Sequence, residues 1–487
     1  MMKRKPFNKA ILPLCIILAA TGVLTACGSK NESTAAVEDG TTSISIMNVL
    51  YDAEPPKPDN EVELAIEKYT HTKLDMTFVP VSAYDDKVNA TIASGELPNL
   101  MVVRRVKDPG IVNAMQSGLF WEVGPYLKQF PNLAKLDEAV LKNSSVDGKI
   151  FGVYRSRTLA RYGYIYREDW LKQLGLEVPK TVDDIYKVAK AFTENDPDQN
   201  GQRDTFGMEV DSGLKILNGL TVQLGGPNVW GELDGKIQPD FMTAEYMQAL
   251  ELLKKMYNEG LINQDFPIAK KGDYIKKKEA GMYFTTIDDV NSYLSSKDQP
   301  LAVNAVQNIS GPKGERIMAT WGFDGMLMIP KTSVKTEDEL LKVLDFVDKL
   351  ADQPMQDLME WGIEGTHYKI ENGAATPTEG AEYNRPYIQL KWDDGANMTP
   401  GNQGEIMTNI QHMFKENQKL AIQDYSVPLT SETNNQKGKE LQKIITDASV
   451  KYIVGQLDQS GWEAAVDAWR SRGGDQILEE FNAAYKP

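Results

Sequence analysis

The chain has 487 residues, with 53 Lys and Arg against 69 Asp and Glu, for a net charge of −16. So acidic a surface repels nucleic acid and other polyanions, and a chain this long outgrows one hydrophobic core, so two domains or lobes are expected. Two cysteines (Cys15, Cys27) and three scattered histidines (His71, His367, His412) offer no close metal spacing and argue against a zinc site.

Read from the N-terminus, Lys3, Arg4, Lys5 and Lys9 precede the apolar run "ILPLCIILAATGVL", which Pro13 interrupts and which is short for a bilayer span. Residues 1–26 therefore read as a signal peptide. The following "LTAC" places small residues before Cys27, the lipobox pattern in which the thiol is acylated and Cys27 becomes the mature N-terminus. An ordinary secretory signal with an accidental cysteine is the alternative. With Cys15 removed and Cys27 lipidated, no thiol is left for a disulfide or a nucleophile, and the mature net charge is about −20. Residues 27–43 are polar and aperiodic, a tether of roughly 20 to 25 Å that would hold a globule at the outer face of the cell membrane.

The folded part begins with "SISIMNVL", a strand, and a Pro-rich turn at "EPPKPDN". "EVELAIEKYT" predicts a helix, "KLDMTFVPV" a strand, "YDDKVNATIASG" a helix closed by Gly95, and "NLMVVR" a strand. This alternation predicts an α/β fold with a largely parallel sheet. Beyond Asp147 the pattern restarts: "GYIYREDWLKQLG" runs from strand into helix. "TVDDIYKVAKAF" is an amphipathic helix with Thr181 and Asp184 as a capping box. "TAEYMQALELLKKMYNEG" sets Tyr246, Leu250, Leu253 and Tyr257 on one face and stops at Gly260, a core stripe.

Between these two helices, "ENDPDQNGQRDTFG" begins as a calcium loop and then breaks the pattern. Asp196, Asp198 and Asn200 hold loop positions one, three and five, Gly201 the turn at six, the Gln202 carbonyl seven and Asp204 nine. Position twelve, which takes a bidentate Glu in an EF-hand, is Gly207. The alternative is an Asx-rich turn without metal.

Several segments together resemble one family. "ASGELPNL", "GLFWEVGPYLKQFPNL", "DGKIFGV", "YREDWLKQLGLEVPKTVDDIYKVAKAFTENDPDQNG", "YNEGLINQDF", "GFDGMLMIPK", "WGIEGTHY" and "YIVGQL" are similar to stretches of the extracellular solute-binding proteins of family 1, in their large Gram-positive lipoprotein branch. The resemblance implies an α/β, two-lobed fold of the periplasmic-binding-protein type (type II), with a ligand cleft between lobes that close by hinging. Crossings between lobes are expected in "GVYRSRTLARYGY", near "YFTTIDD" and near Ala351, giving 44–155 and 288–350 as lobe 1, and 156–287 and 351–487 as lobe 2. The implied partners are a sugar or oligosaccharide ligand and the permease subunits of an ABC transporter, with the receptor a monomer that does no covalent chemistry.

A sugar cleft combines stacked aromatics with amides, carboxylates and Arg. The candidate ligand residues are Tyr51 and Asp52 after the first strand, Arg104 after "NLMVV", Tyr154 and Arg155 at the first crossing, Asp288 at the second, and Trp230, Trp321 and Trp361. "WGIEGTHY" reads first as a packing motif with a satisfied histidine and second as a cleft loop. The resemblance also implies a structural calcium, since some members, alginate-oligosaccharide binders among them, carry one in such a loop. Those binders add a carboxylate at position ten, where this chain has Thr205. Two rival classes remain open from sequence: a secreted glycosidase, which needs only two suitably spaced carboxylates, and a receptor for peptide or another nutrient.

Overall fold

The computed structural model describes residues 41–296, 300–381, 383–395, 397–402 and 404–485. The expected signal peptide, the lipidation candidate Cys27 and the tether up to residue 40 lie outside the described residues. Among those residues, no helix is long and apolar enough to cross a membrane.

The main strands, in chain order, are β1 (Thr42–Leu50), β2 (Thr72–Pro80), β3 (Leu100–Val103), β4 (Gly152–Ser156), β5 (Tyr162–Arg167), β6 (Met282–Thr286), β7 (Val303–Val306) and β8 (Phe323–Met328). They form two sheets, ordered β2-β1-β3-β8-β4 and β6-β5-β7. In the first, β1 pairs parallel with β2 and β3, while the returning β8 slots antiparallel between β3 and β4. This is the expected α/β, two-lobed type II architecture, but the expected largely parallel sheet holds only across β2-β1-β3: β8 returns antiparallel, and β5 pairs antiparallel with both β6 and β7. The predicted helices form at Glu61–Thr70, Val81–Ser94, Val182–Glu194 and Ala244–Asn258. Gly95 is left-handed at its helix end (φ 75), and Thr181 with Asp184 closes the capping box. Phe206, Met208 and Glu209, just after the Asp196–Asp204 loop, make isolated bridges to Ala280, Ile262 and Tyr283.

Packing divides the chain differently from the expected boundaries. One core joins residues from Ile44 to Tyr154 with Phe323 to Trp392. The others join Tyr164 to Met318 with residues from Met407 onward. The chain therefore crosses at about 157–161, at 319–322 and between Asn402, still bonded to Ala375 of the first lobe, and Met407, and the expected crossings near 288 and 351 need correction. "YFTTIDD" is β6 and the turn after it, paired to β5 in the second lobe, where Ile287 and Val290 are buried. Ala351 lies between helices Glu337–Lys349 and Gln353–Trp361, whose apolar faces pack in the first core. An amphipathic helix must cover its own lobe's sheet, so neither point can be a crossing.

Candidate functional site

β1, β3 and β4 run in one direction, so their C-terminal ends and the start of β8 share one sheet edge. Ligands of open α/β sheets bind outside that edge, and here it is also where the chain crosses to the second lobe. Tyr51 and Asp52 follow β1, Arg104 follows β3, Arg157 follows β4, and Trp321 precedes β8. A bulge between Phe323 and Met326 shapes the rim. Gly325 is left-handed there (φ 81), and a Cβ would lie 2.5 Å from the Val103 carbonyl, so only glycine lets β8 dock.

Three adjoining cavities open between the lobes. The largest, about 860 Å³, sets Lys142, Asn143 and Ser145 of the first lobe against Lys313, Arg316 and Tyr425 of the second. A second, about 190 Å³, joins Lys107 and Trp321 to Ser426, Asn434 and Asn435. A third, about 220 Å³, joins Trp321 and Phe323 to Tyr162 and Lys215. Asp424 lines all three. Its carboxylate accepts from the Ser426 N–H (2.9 Å) and Oγ (2.7 Å), and burial pushes it up to about 6. A hollow of about 970 Å³ lies elsewhere, lined by Phe241, Trp462 and other second-lobe residues only.

The candidate ligand residues separate under this geometry. Trp321 is 46 % exposed in the cleft, and Tyr51, 55 % exposed, stands at the same edge with the Arg104 guanidinium 5.9 Å from its ring centre. Asp52 is partly exposed beside it. Asp288 is held by Arg161 through two bonds (2.9 and 2.6 Å), which ties the first crossing to the turn after β6. Tyr154 is buried; its hydroxyl accepts from the Asp137 N–H (2.8 Å) beside a hollow at the crossing.

The remaining three point away from the cleft. Arg155, 2 % exposed, donates to the Asp324 carbonyl (2.9 Å) and to Gln389, bracing the bulge from inside the lobe. Trp230 packs edge-on to Phe481 (4.9 Å) in the second core. Trp361 donates to the Thr399 carbonyl (3.0 Å) on the first lobe, and His367 Nδ1 accepts from the Ile363 N–H (3.0 Å), so "WGIEGTHY" is a packing motif. Lys107, Lys215, Lys313, Arg316, Asp424 and Tyr425 were not legible as site residues. The only local signals are the Asx turn in "DYS" and the basic hairpin "GPKGER", both common on surfaces.

The Asp196–Asp204 loop brings its polar side chains together in part. Asn200 Nδ2 donates to Asp198 (3.0 Å) and to both oxygens of Asp204 (3.2 and 3.1 Å), while Asp196 accepts from the N–H groups of Asn200 (3.1 Å) and Gly201 (3.0 Å). Burial, with Asp196 and Asp204 beside it, pushes the Asp198 carboxyl up. The Asn200 amide thus stands between the Asp198 and Asp204 carboxylates, and turning it over would present its oxygen to them; the donor types suit calcium, while Asp196 is turned to the backbone and the three carboxylates do not close on one point. Two departures from an EF-hand have structural causes. Thr205 spends its hydroxyl on the Phe192 carbonyl (2.8 Å), and a Cβ on Gly207 would meet the Ala189 oxygen at 2.0 Å, so no Glu fits at position twelve. A tighter carboxylate group, Asp59, Glu63 and Glu67, is engaged by Lys73, the Leu74 N–H and the Tyr387 hydroxyl.

A hinged pair of α/β lobes with a lined cleft defines a binding protein, and the chain belongs to the family described as bacterial extracellular solute-binding protein, whose model matches residues 54–357. It binds a solute without transforming it, which sets the glycosidase reading aside. The chain is 38 % identical to the polygalacturonan/rhamnogalacturonan-binding protein YtcQ of Bacillus subtilis, over 98 % of each chain. It is 38 % identical to lipoprotein LipO of the same organism, over 94 % of this chain and 95 % of that one. A solved structure of an EF-hand mutant of the S. pneumoniae ABC-transporter substrate-binding protein FusA, in complex with fructo-nystose, superposes with a TM-score of 0.64 at 19 % identity, covering 91 % of this chain and 98 % of that one.

Proposed function

We propose that the protein captures an oligosaccharide between its lobes and delivers it to the permease of an ABC transporter, anchored through lipid on Cys27 to the outer face of the cell membrane as a monomer. The observation that carries this reading is the placement of exposed aromatics. Of the four exposed aromatic side chains among the described residues, Tyr51, Tyr69, Trp321 and Tyr425, two line the interlobe cavities and Tyr51 stands at the adjoining sheet edge. Exposed rings cost solvation unless a ligand covers them, and sugar C–H faces do so. Asn143, Asn434 and Asn435 add amides suited to hydroxyls. The sugar ligand in the name of the relative YtcQ supports the same class.

Calcium belongs to this reading as a staple of the second lobe held by Asp196, Asp198, Asn200, the Gln202 carbonyl and Asp204, remote from the ligand. The EF-hand in the description of FusA supports it. The functional test is a thermal-shift screen of the mature chain against oligogalacturonates, neutral oligosaccharides and a peptide pool. A sugar at a hundred times its dissociation constant should stabilise by roughly 2.7 kcal/mol. A shift with peptides and with no sugar would overturn the assignment.

A further inference from the structure

The chain is acidic overall, yet basic side chains outnumber carboxylates in the three cavities. Five basic side chains, Lys107, Lys142, Lys215, Lys313 and Arg316, line the three interlobe cavities, against two carboxylates, Glu232 and Asp424. Four of the five are solvated or engaged: Lys142 and Lys215 are exposed, Lys313 pairs with Glu245 (3.2 Å), and Arg316 donates to the Val222 and Gly226 carbonyls.

Lys107 differs from them. Its Nζ donates to the Ser145 carbonyl (2.5 Å), and among the described residues no carboxylate lies within the 4 Å of an ion pair. The nearest acidic influence, Asp147, is exposed and accepts from Gln116 (2.8 Å). An ammonium has three donors, so two remain for the cavity. Lys107 is half-buried, and burial lowers it to about 8, which the distant Asp147 offsets only in part. Across the cavity stand Trp321, a ring for a sugar face, and Asn434 and Asn435 from the other lobe; Asp424 lines it too, with its carboxylate turned to the N–H and hydroxyl of Ser426.

We infer that the Lys107 cavity is a carboxylate subsite, so that the protein selects sugars with a free acid group and rejects the same sugars as esters or neutral analogues. The inference rests on the oligosaccharide reading and narrows its substrate class to acidic oligosaccharides. A uronate ring stacked on Trp321 would turn its carboxylate to Nζ and its hydroxyls to Asn434 and Asn435. Methylation removes the charge and one acceptor oxygen while leaving the ring, so the two forms differ mainly at Lys107. Binding a carboxylate there also joins a first-lobe cation to a ligand gripped by the second lobe, which ties closure to the acid group.

Calorimetric titration of the mature chain in calcium with trigalacturonate, its methyl ester and neutral galactotriose tests this. Wild type should bind the acid roughly ten- to a hundredfold more tightly than the ester. Lys107→Gln should bring the acid down to the level of the ester and leave the ester unchanged, whereas Lys107→Arg should keep a preference for the acid. Melting curves of both variants establish that they fold. Equal wild-type affinity for acid and ester, or an undiminished preference in Lys107→Gln, overturns the subsite while the oligosaccharide reading stands. Binding of none of the three sugars overturns the acid subsite, and the oligosaccharide reading falls only if the wider thermal-shift screen then finds peptides and no sugar.

Discussion

Trp321 shows how a single side chain separates stability from binding. Its ring is 46 % exposed, and its aromatic neighbour Phe323 is 6.0 Å away, so little of the fold depends on it. Trp321→Ala should cost under about 1 kcal/mol of stability, since surface positions outside special features rarely cost more. It should weaken ligand binding by roughly tenfold, the worth of a stacked ring beyond its area. Calorimetry beside a thermal melt distinguishes the two, and a large fall in melting temperature with unchanged affinity would make Trp321 a core residue. Asp240 behaves in the opposite way. It is 3 % exposed and bonded to Asn218 (2.8 Å), and burial pushes its carboxyl up to about 7. A raised carboxyl holds a proton that the unfolded chain has released, so its penalty grows as pH rises from its unfolded value near 3.8 toward 7 and is constant above. The melting temperature of Asp240→Asn should therefore fall less than that of wild type, by a few degrees, between about pH 5 and about pH 7.5. Parallel pH profiles for the two proteins would rule the effect out.

Elements were legible where local physics decides them. The helix at Val182–Glu194 follows from its capping box and apolar stripe, and the helix at Ala244–Asn258 from its periodicity and Gly260. What periodicity could not supply is the partner of each strand. β6 is an apolar run that looks the same whether it crosses between lobes or pairs with β5, and only the burial of Ile287 and Val290 on the second lobe decides it. The candidate cleft residues fared by the same rule. Tyr51, Asp52 and Arg104 follow strands whose direction the α/β alternation implies, so their edge was predictable. Trp230 and Trp361 sit on elements whose buried face sequence leaves open, and Lys107 and Asp424 become neighbours of the cleft only through tertiary packing. The Asp196–Asp204 loop is the converse case, because its spacing alone proposes which oxygens would meet, as with Asp198 and Asp204 about the Asn200 amide. Chelation should lower the melting temperature of wild type by a few degrees, and Asp204→Ala should melt at the lower value whether calcium is present or not. If chelator leaves wild type unmoved, the loop is a polar turn.

At the scale of the whole molecule, the three crossings, at about 157–161, at 319–322 and between Asn402 and Met407, are short segments between two separately packed lobes. Each lobe therefore keeps its own interior whether the cleft is open or closed, and the energy for closing must come from a ligand that touches both walls. Arg161 bonded to Asp288, and Arg157 paired with Asp324 (3.3 Å), brace the first crossing on either side of its five residues without joining the walls themselves. Hydrogen exchange can distinguish bridging from one-sided capture. With a saturating oligosaccharide, the backbone at Lys107–Val112 and Asn143–Val146 on the first lobe should be protected together with Asp424–Asn435 on the second, because all three line the same cavities. Both walls should reach half-protection at one ligand concentration, since one binding event closes both. Protection confined to one wall would mean that the ligand docks on a single lobe, and a permease could then not tell a loaded receptor from an empty one by the approach of its lobes.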